Sequence, residues 1–409
     1  MSRFISLIGL AVMLFLAWLL SSDRKNMNYR LILSGIGLQL LFGILILWTG
    51  PGHWFFDTAR KAVMKLTASS DAGAAFLFGP GFREHFFAFS VLPTIIFIGA
   101  ITAILFHLGV LQCIVKIMAW IMVRVMDVSG AESLAAASNV FVGMTEAPLV
   151  IRPYLPTMTR SELMAMMTGG MATIAGGVMV AYAQMGADAG HLLAASIMSA
   201  PASLAIAKII LPENDESPTK GVVQVDVPKT DANVLDAACR GAGEGLKLAL
   251  NVAAMLIAFI AIVAMLNWVL ASASSRFCHA FLGYYPENPL SLEMILGWLC
   301  APLAWVMGVE WQDARSVGML LGKKVILNEF LAYLDLVALK DSISERSFTI
   351  ATYALCSFAN FGSVAITIGG IGGLVPERRK DFARLGFKAM LGGALAGFMT
   401  ATIAGILIP

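Results

Sequence analysis

Apolar residues occur along this chain in long unbroken blocks, with no alternation of apolar and polar positions. Blocks at about 3–21, 31–49, 88–109, 162–185, 191–211, 246–271, 348–368 and 386–408 each approach the roughly 20 residues a helix needs to cross a bilayer. Eight crossings are therefore predicted. Between them lie semi-polar stretches, and the most telling is Asn139-Val-Phe-Val-Gly-Met-Thr-Glu-Ala-Pro-Leu-Val-Ile-Arg152. Its flanks suit lipid, but its centre carries Gly143, Thr145, Glu146 and Pro148. A carboxylate at membrane depth costs on the order of 3 kcal/mol, and Gly with Pro weakens the helix so that backbone groups come free. Such a stretch suits the tip of a re-entrant hairpin lining a polar cavity. The plainer alternative is a kinked helix with Glu146 buried against a neighbour.

The pattern occurs twice. Met118-Ala-Trp-Ile-Met122 leads through the turn Asp127-Val-Ser-Gly130 to Glu146, and Leu303-Ala-Trp-Val-Met307 leads through Trp311-Gln-Asp313 to Leu327-Asn-Glu-Phe330, centred on Glu329. A turn bearing both charges follows each (Arg160-Ser-Glu162; Ser344-Glu-Arg346). Then comes a spanning helix interrupted by small polar residues, Thr173-Ile-Ala-Gly-Gly177 in one half and Ser357-Phe-Ala-Asn-Phe-Gly-Ser363 in the other. Three predicted crossings separate the hairpins, so the second enters from the opposite side and the units form inverted repeats. Broken helices at matching positions of such repeats point to a midplane transport site.

Composition agrees. The 409 residues are 58% hydrophobic and 13% charged, with mean hydropathy +0.81; soluble domains carry about 25% charged residues, so this is an integral membrane protein. A formal charge of +2 gives no argument for nucleic acid. No phosphate loop, zinc-spaced Cys/His set or HExxH occurs. Cys113, Cys239, Cys278, Cys300 and Cys356 are far apart and odd in number, which suits packing residues and not a disulfide framework.

The block from Phe4 to Leu20 could pass for a signal peptide, but Arg24, Lys25 and Arg30 follow it and no A-x-A site appears. It reads as a retained helix with its N-terminus outside. Segments 22–30, 212–245 and 376–388 then face the cytoplasm, the last with the densest basic cluster (Arg378, Arg379, Lys380, Arg384, Lys388), and both termini lie outside. Segment 53–66 reads as an amphipathic helix on the outer surface, offering Trp54, Phe55, Phe56, Val63 and Met64 to lipid. The polar stretch 212–240 reads as a linker between halves in which no functional residues are expected.

Glu146 and Glu329 are placed near the membrane centre, with Thr145, Asn328, Asn360 and Ser363 as neutral donors and acceptors and Phe358 and Phe361 as flat apolar faces. Hydroxyl and amide groups beside a carboxylate suit a polyhydroxylated, uncharged solute, and an aromatic face suits a planar ring. No Arg or Lys stands beside either Glu, which argues against an anionic substrate; Lys323 and Lys324 are expected on the wet limb of the hairpin or in an ion pair. Plainer readings stand beside these. Asn360 and Ser363 could be polar glue between helices, Phe358 and Phe361 could be packing, Asn139 a helix cap, and Met164, Met166 and Met167 packing alone.

The motifs resemble those of the concentrative nucleoside transporters. They are Gly143-x-Thr145-Glu146-x-Pro148-Leu149 with Arg152-Pro153-Tyr154, then Gly322 with Lys323 or Lys324 and Asn328-Glu329-Phe330-x-Ala332-Tyr333, then Ser357-Phe358-Ala359-Asn360-Phe361-x-Ser363. The resemblance runs over essentially the whole chain and suggests a bacterial member, since the additional N-terminal helices of the animal proteins are lacking.

It implies an all-α integral membrane protein with eight transmembrane helices, two re-entrant hairpins in inverted repeats and interfacial helices. The implied parts are scaffold helices over 1–110, a first transport repeat over 111–211 with hairpin 1 at about 131–158, the linker 212–245, a scaffold helix over 246–272 and a second transport repeat over 290–409 with hairpin 2 at about 311–341. It also implies a homotrimer in the bacterial inner membrane whose transport domains move like elevators, importing nucleosides with sodium and acting as no enzyme.

By motif match, Gly143, Met144, Thr145 and Glu146 with Val178 and Phe358 would face the nucleobase, while Asn328, Glu329, Asn360 and Ser363 would serve the ribose side. Sodium would lie among Asn139, Val142, Thr173 and Ile174, partly on backbone carbonyls; oxygen ligands suit a hard cation. Beyond co-transported sodium no cofactor is implied. One departure stands out: many members carry Gln where Met144 stands, and a thioether cannot replace an amide's hydrogen bond to the base. Proton coupling is the alternative, since some relatives are proton-driven with a small neutral residue at the position of Asn139. A non-transporting nucleoside sensor is the rival from another class, and an intramembrane enzyme lacks a nucleophile–base or metal-ligand set.

Overall fold

Backbone amides within lipid have no water to bind, and the chain meets that constraint by folding almost wholly into helix. The structure is a computed structural model that describes residues 2–221, 231–286 and 288–408. Among them the only strand-like contact is a bridge between Ser129 and Lys220. In the first half α1 is Ser2–Leu19, α2 Tyr29–Trp48, α3 Gly50–Phe78, α4 Leu92–His107 and α5 Val110–Met126. There follow α6 Gly130–Ser138, α7 Ala147–Val150, α8 Arg160–Ala172, α9 Gly176–Met185 and α10 Ala189–Ile210. The second half has α11 Val234–Leu282, α12 Leu292–Val306, α13 Trp311–Ile326, α14 Glu329–Ala338, α15 Glu345–Leu355, α16 Phe361–Leu374 and α17 Arg379–Leu407.

Six helical stretches among the described residues are long and apolar enough to cross a bilayer: α2, Phe87–His107, Arg160–Met185, α10, Val234–Phe281 and Pro376–Leu407. A seventh arises only if α12 and α13 are joined through their 117° bend. The block at 3–21 gives a shorter helix, and the block at 348–368 is divided between α15 and α16. The division has a local cause: Asn360 is extended and its side chain accepts from Ser363 N–H, starting a new helix where the old one would have continued. Likewise Thr173 ends α8 in extended conformation before α9 begins at Gly176.

The core lies in α8–α9, α10 and α17, whose apolar stretches are each 89% buried, against 11% for α11. At 49 residues α11 is about 74 Å long by helical rise, more than twice the roughly 30 Å hydrocarbon core, so in a bilayer it must tilt steeply or extend beyond it. It packs along α4, and the contact is made by small residues. A Cβ on Gly245 would lie 2.8 Å from Ile96 Cα, and one on Gly99 would lie 2.6 Å from the Gly241 carbonyl oxygen.

This corrects the reading of 212–245 as linker throughout. Asn233 caps a helix that starts at Val234, and the sequence that follows looks loop-like only because its small residues serve the α4 contact. Nor is 213–220 a free strand of chain. Thr219 accepts from Gly130 N–H (2.9 Å) and Ser217 donates to Glu162 (2.5 Å), so it clamps the starts of α6 and α8. The surface helix predicted at 53–66 extends over all of α3; Trp54 and Met64 are exposed, but Phe56 turns inward onto His191, with ring centroids 5.0 Å apart.

Candidate functional site

Each predicted hairpin is a pair of helices meeting at a short polar tip. In the first, a capping box starts α6: Ser129 accepts from Glu132 N–H while Glu132 accepts from Ser129 N–H. The helix stops at Asn139, turns follow to Thr145, and α7 starts after Glu146 with Pro148 in its first turn. In the second, α13 ends at Ile326 and α14 begins at Glu329, with Asn328 as N-cap accepting from Leu331 N–H (2.9 Å). Glu329 is thus the first residue of a helix, where a negative charge is favoured by the dipole.

Glu329 is held by two side chains from other elements. Tyr182 of α9 donates its hydroxyl to one carboxylate oxygen at 3.0 Å, and Asn360 donates its amide to the other at 2.9 Å. Asn360 Oδ1 is committed to the Ser363 N–H at 2.8 Å, so the amide cannot flip. A carboxylate offers about four lone-pair directions, and two remain for a ligand. Asn328, Glu329, Asn360 and Ser363 are all at least 94% buried.

Glu146 behaves differently. It is half-buried, accepts from Gly143 N–H at 3.2 Å, and faces a cavity of about 230 Å³ between the hairpin tip, the start of α9, α4 and α11. The tip rests on α9: Gly176 N–H donates to the Phe141 carbonyl (3.1 Å), and a Cβ on Gly143 would touch Ala175 at 3.6 Å. Arg240 and Glu244 line the far wall, with Arg240 bound to both Glu244 oxygens (3.0 Å each) and to Asp231 (2.7 and 2.9 Å). Arg240, the last residue of the 212–240 stretch in which no functional residues were expected, therefore lines this cavity.

Of the remaining predicted positions, Val178 is buried in α9, while Phe358 is partly buried and donates its N–H to the Thr173 carbonyl at 3.2 Å, tying the two helix breaks together. Met144 points its sulfur at Thr367 (3.7 Å), and Thr145 is exposed beside Gly370 of α16. Phe361 does not face the site: it is 52% exposed and stacks on Phe387. Lys324 is fully buried and donates to the Ala354 carbonyl, with no ion pair among the described residues, whereas Lys323 pairs with Asp335 (2.7 Å) and Glu293 (3.3 Å). Tyr182 was missed by the sequence reading. The signal available was a lone phenol in a half-helix whose only other polar side chain is Gln184, just past the Gly176–Gly177 break.

The four positions matched to sodium lie together where α6 and α8 end. Asn139 is the C-cap of α6 and Thr173 that of α8, and all four residues are at least 93% buried. Asn139 Nδ2 donates to the Ala135 carbonyl (2.9 Å), but its Oδ1 is buried with no donor among the described residues. A Cβ on Gly170 would lie 3.6 Å from that oxygen, so the last turn of α8 faces it. Two helix C-termini and an unpartnered amide oxygen bring together the kind of oxygen donors that a small hard cation takes.

Two helix pairs and two broken helices gathered around the buried Glu329 and the cavity-facing Glu146 are the architecture of a membrane transport protein. The family descriptions that match are "Na+ dependent nucleoside transporter C-terminus" over residues 191–405, its N-terminus counterpart over 8–81, and "Nucleoside recognition" over 88–189. Solute carrier family 28 member 3 of Mus musculus is 42% identical over 98% of this chain, which spans 58% of that relative's length. The transporter YutK of Bacillus subtilis (strain 168) is 40% identical over 98% of both chains. Among solved structures, CNTnw in an inward-facing substrate-bound state superposes with a TM-score of 0.91 at 40% identity, covering 100% of this chain and 98% of that one. This chain belongs to the Na+ dependent nucleoside transporter family.

Proposed function

We propose that this chain carries nucleosides across a membrane together with sodium. The observation that carries the reading is the disposition of the two hairpin carboxylates along α9. Glu146 adjoins its first residues and Glu329 is bound by Tyr182, six residues on. Six residues of helix rise about 9 Å, a span suited to one elongated neutral ligand held at both ends. In this reading Glu329, Asn360 and Ser363 hold the ribose, with Asn328 fixing the start of α14. The base lies toward Glu146, against Gly143, Thr145, Val178 and Phe358. Met144, whose sulfur is already turned to Thr367, contributes packing and no directed bond to the base.

Sodium sits among Asn139, Val142, Thr173 and Ile174, with the orphan oxygen of Asn139 as the side-chain ligand that supports the assignment. Binding there draws the ends of α6 and α8 together under the hairpin tip, so each ligand tightens the other by linkage. Moving one charge inward across 100 mV contributes about 2.3 kcal/mol, roughly a 50-fold accumulation. Retention of Asn139 and Thr173 favours sodium over protons.

Transport follows an elevator movement of the hairpins and broken helices past α4 and α11, within a trimer spanning a bacterial inner membrane through eight crossings, with both termini outside. The apolar face that α11 leaves uncovered suits lipid or a neighbouring copy. Uptake of labelled uridine or adenosine into proteoliposomes tests the reading. An inward sodium gradient is expected to drive accumulation that an equal potassium gradient does not; equal uptake in both, dependent on pH alone, would replace sodium by protons.

A further inference from the structure

Hairpin 2 holds a buried lysine that the reading above leaves without a role. Lys324 lies in the last turn of α13 with no surface exposed. Its ammonium donates to the Ala354 carbonyl at 2.7 Å and sits 4.9 Å from the centroid of the Phe398 ring. Ala354 belongs to the last turn of α15, which ends inside the protein at Cys356. The last four carbonyls of a helix have no helical partners and carry the negative end of its dipole. The ammonium therefore sits at the negative end of the first half of a broken helix. Among the described residues it forms no ion pair within 4.0 Å, unlike Lys323, although it and Glu329 attract each other at longer range.

The first repeat has the same arrangement with one part missing. There α8 ends inside the protein at Thr173, and its last turn faces Asn139 at the end of the first hairpin arm. No lysine or arginine stands at that place, and Asn139 Oδ1 is left without a donor among the described residues. The second repeat also presents a hydroxyl at its break. A Cβ on Gly397 would meet Ser357 Oγ at 3.0 Å and Lys324 Nζ at 3.7 Å, so both flank one small space, and Ser357 Oγ has no partner among the described residues. The two breaks touch through the Phe358 N–H to Thr173 carbonyl bond.

We propose that Lys324 is a built-in cation: its ammonium occupies in hairpin 2 the place that hairpin 1 keeps for sodium. The proposal rests on the sodium-coupled reading and deepens it. Lys324 then supplies the cation on the Glu329 side from within the chain, while the half around Glu146 receives its cation only when the ion arrives. Coupling then resides in hairpin 1 alone, and one sodium accompanies each nucleoside. Lys324 is a positioning residue that acts through the end of α15 and the break leading to Asn360.

The test is sodium activation of nucleoside uptake in proteoliposomes, for the wild type, Lys324→Met and Lys324→Arg. The wild type is expected to show a Hill coefficient for sodium of about 1. Removing the charge in K324M is expected to demand a second ion at Ser357 and the α15 carbonyls, raising the Hill coefficient toward about 2 and the half-saturating sodium concentration at least tenfold. K324R, which keeps the charge, is expected to retain the wild-type Hill coefficient. An unchanged activation curve in K324M, or equal changes in K324M and K324R, would overturn the proposal while leaving sodium coupling intact. A wild type that ignores sodium would remove the underlying reading and this proposal with it. If K324M does not fold, the reversal potential of the wild type decides: one sodium per nucleoside supports the built-in cation, and two refutes it.

Discussion

Glu329→Gln separates the charge of the carboxylate from its architectural role. In the wild type one oxygen accepts from the Tyr182 hydroxyl at 3.0 Å and the other from the Asn360 amide at 2.9 Å. Asn360 is locked in orientation because its oxygen caps α16 through Ser363 N–H. The glutamine must therefore turn its oxygen to Asn360 and its amide to Tyr182, and a phenol can accept as readily as donate. Both local bonds survive, so the fold should lose less than about 1.5 kcal/mol.

Ligand binding should not be so tolerant. Hydrogen bonds to a charged acceptor contribute about 1.5–3 kcal/mol, against about 0.5–1.5 for neutral pairs. Two ribose hydroxyls on Glu329 would then lose about 2–3 kcal/mol together, a roughly 30- to 150-fold rise in Kd. Isothermal titration of nucleoside into detergent-purified E329Q, with melting recorded alongside, measures both quantities. A Kd within twofold of the wild type would refute the ribose assignment, and collapse of the fold would refute the hydrogen-bond argument.

Other outcomes follow from the packing. Gly245→Leu drives a side chain into the Ile95–Ile96 backbone of α4 and should cost about 1–3 kcal/mol, read as a lowered melting temperature. Lys208→Met removes the partner of the buried Glu132 (2.8 Å) and should cost about 3–5 kcal/mol; the double variant with Glu132→Gln should regain much of it, as size-exclusion profiles and melting would report. The Arg240 guanidinium bonded to Asp231 holds that carboxyl below its usual range. A depressed folded-state pKa gives stability that is present above the unfolded value near ~3.9 and lost as pH falls through the folded one. The melting difference between the wild type and Arg240→Gln should thus be flat from pH 5 to 8, at most about 1 kcal/mol, and shrink below about pH 4.

How much of this could be read from the chain depends on the kind of signal. The breaks at Thr173–Ala175 and Cys356–Asn360 were legible because small polar residues interrupt apolar blocks, and the hairpin tips because a Glu stands where lipid would forbid one. The start of α11 at Val234 was not legible, since Gly241 and Gly245 look like loop residues until α4 is seen against them. The same blindness hid Arg240 and Glu244, whose place at the Glu146 cavity depends on that helix crossing. Phe361 and Phe358 read alike in the motif, yet helical direction after Asn360 turns the first outward and leaves the second at the crossing of the breaks. Tyr182 could be placed only once α9 was seen to run past the tip of hairpin 2.

A cryo-EM map of the protein with sodium and a bound nucleoside tests the central claim most directly. The account predicts ligand density along α9, with the ribose hydroxyls on Glu329 and Asn360 and the base toward Glu146. Density confined to either carboxylate alone, or lying in another cavity of the protein, would contradict it.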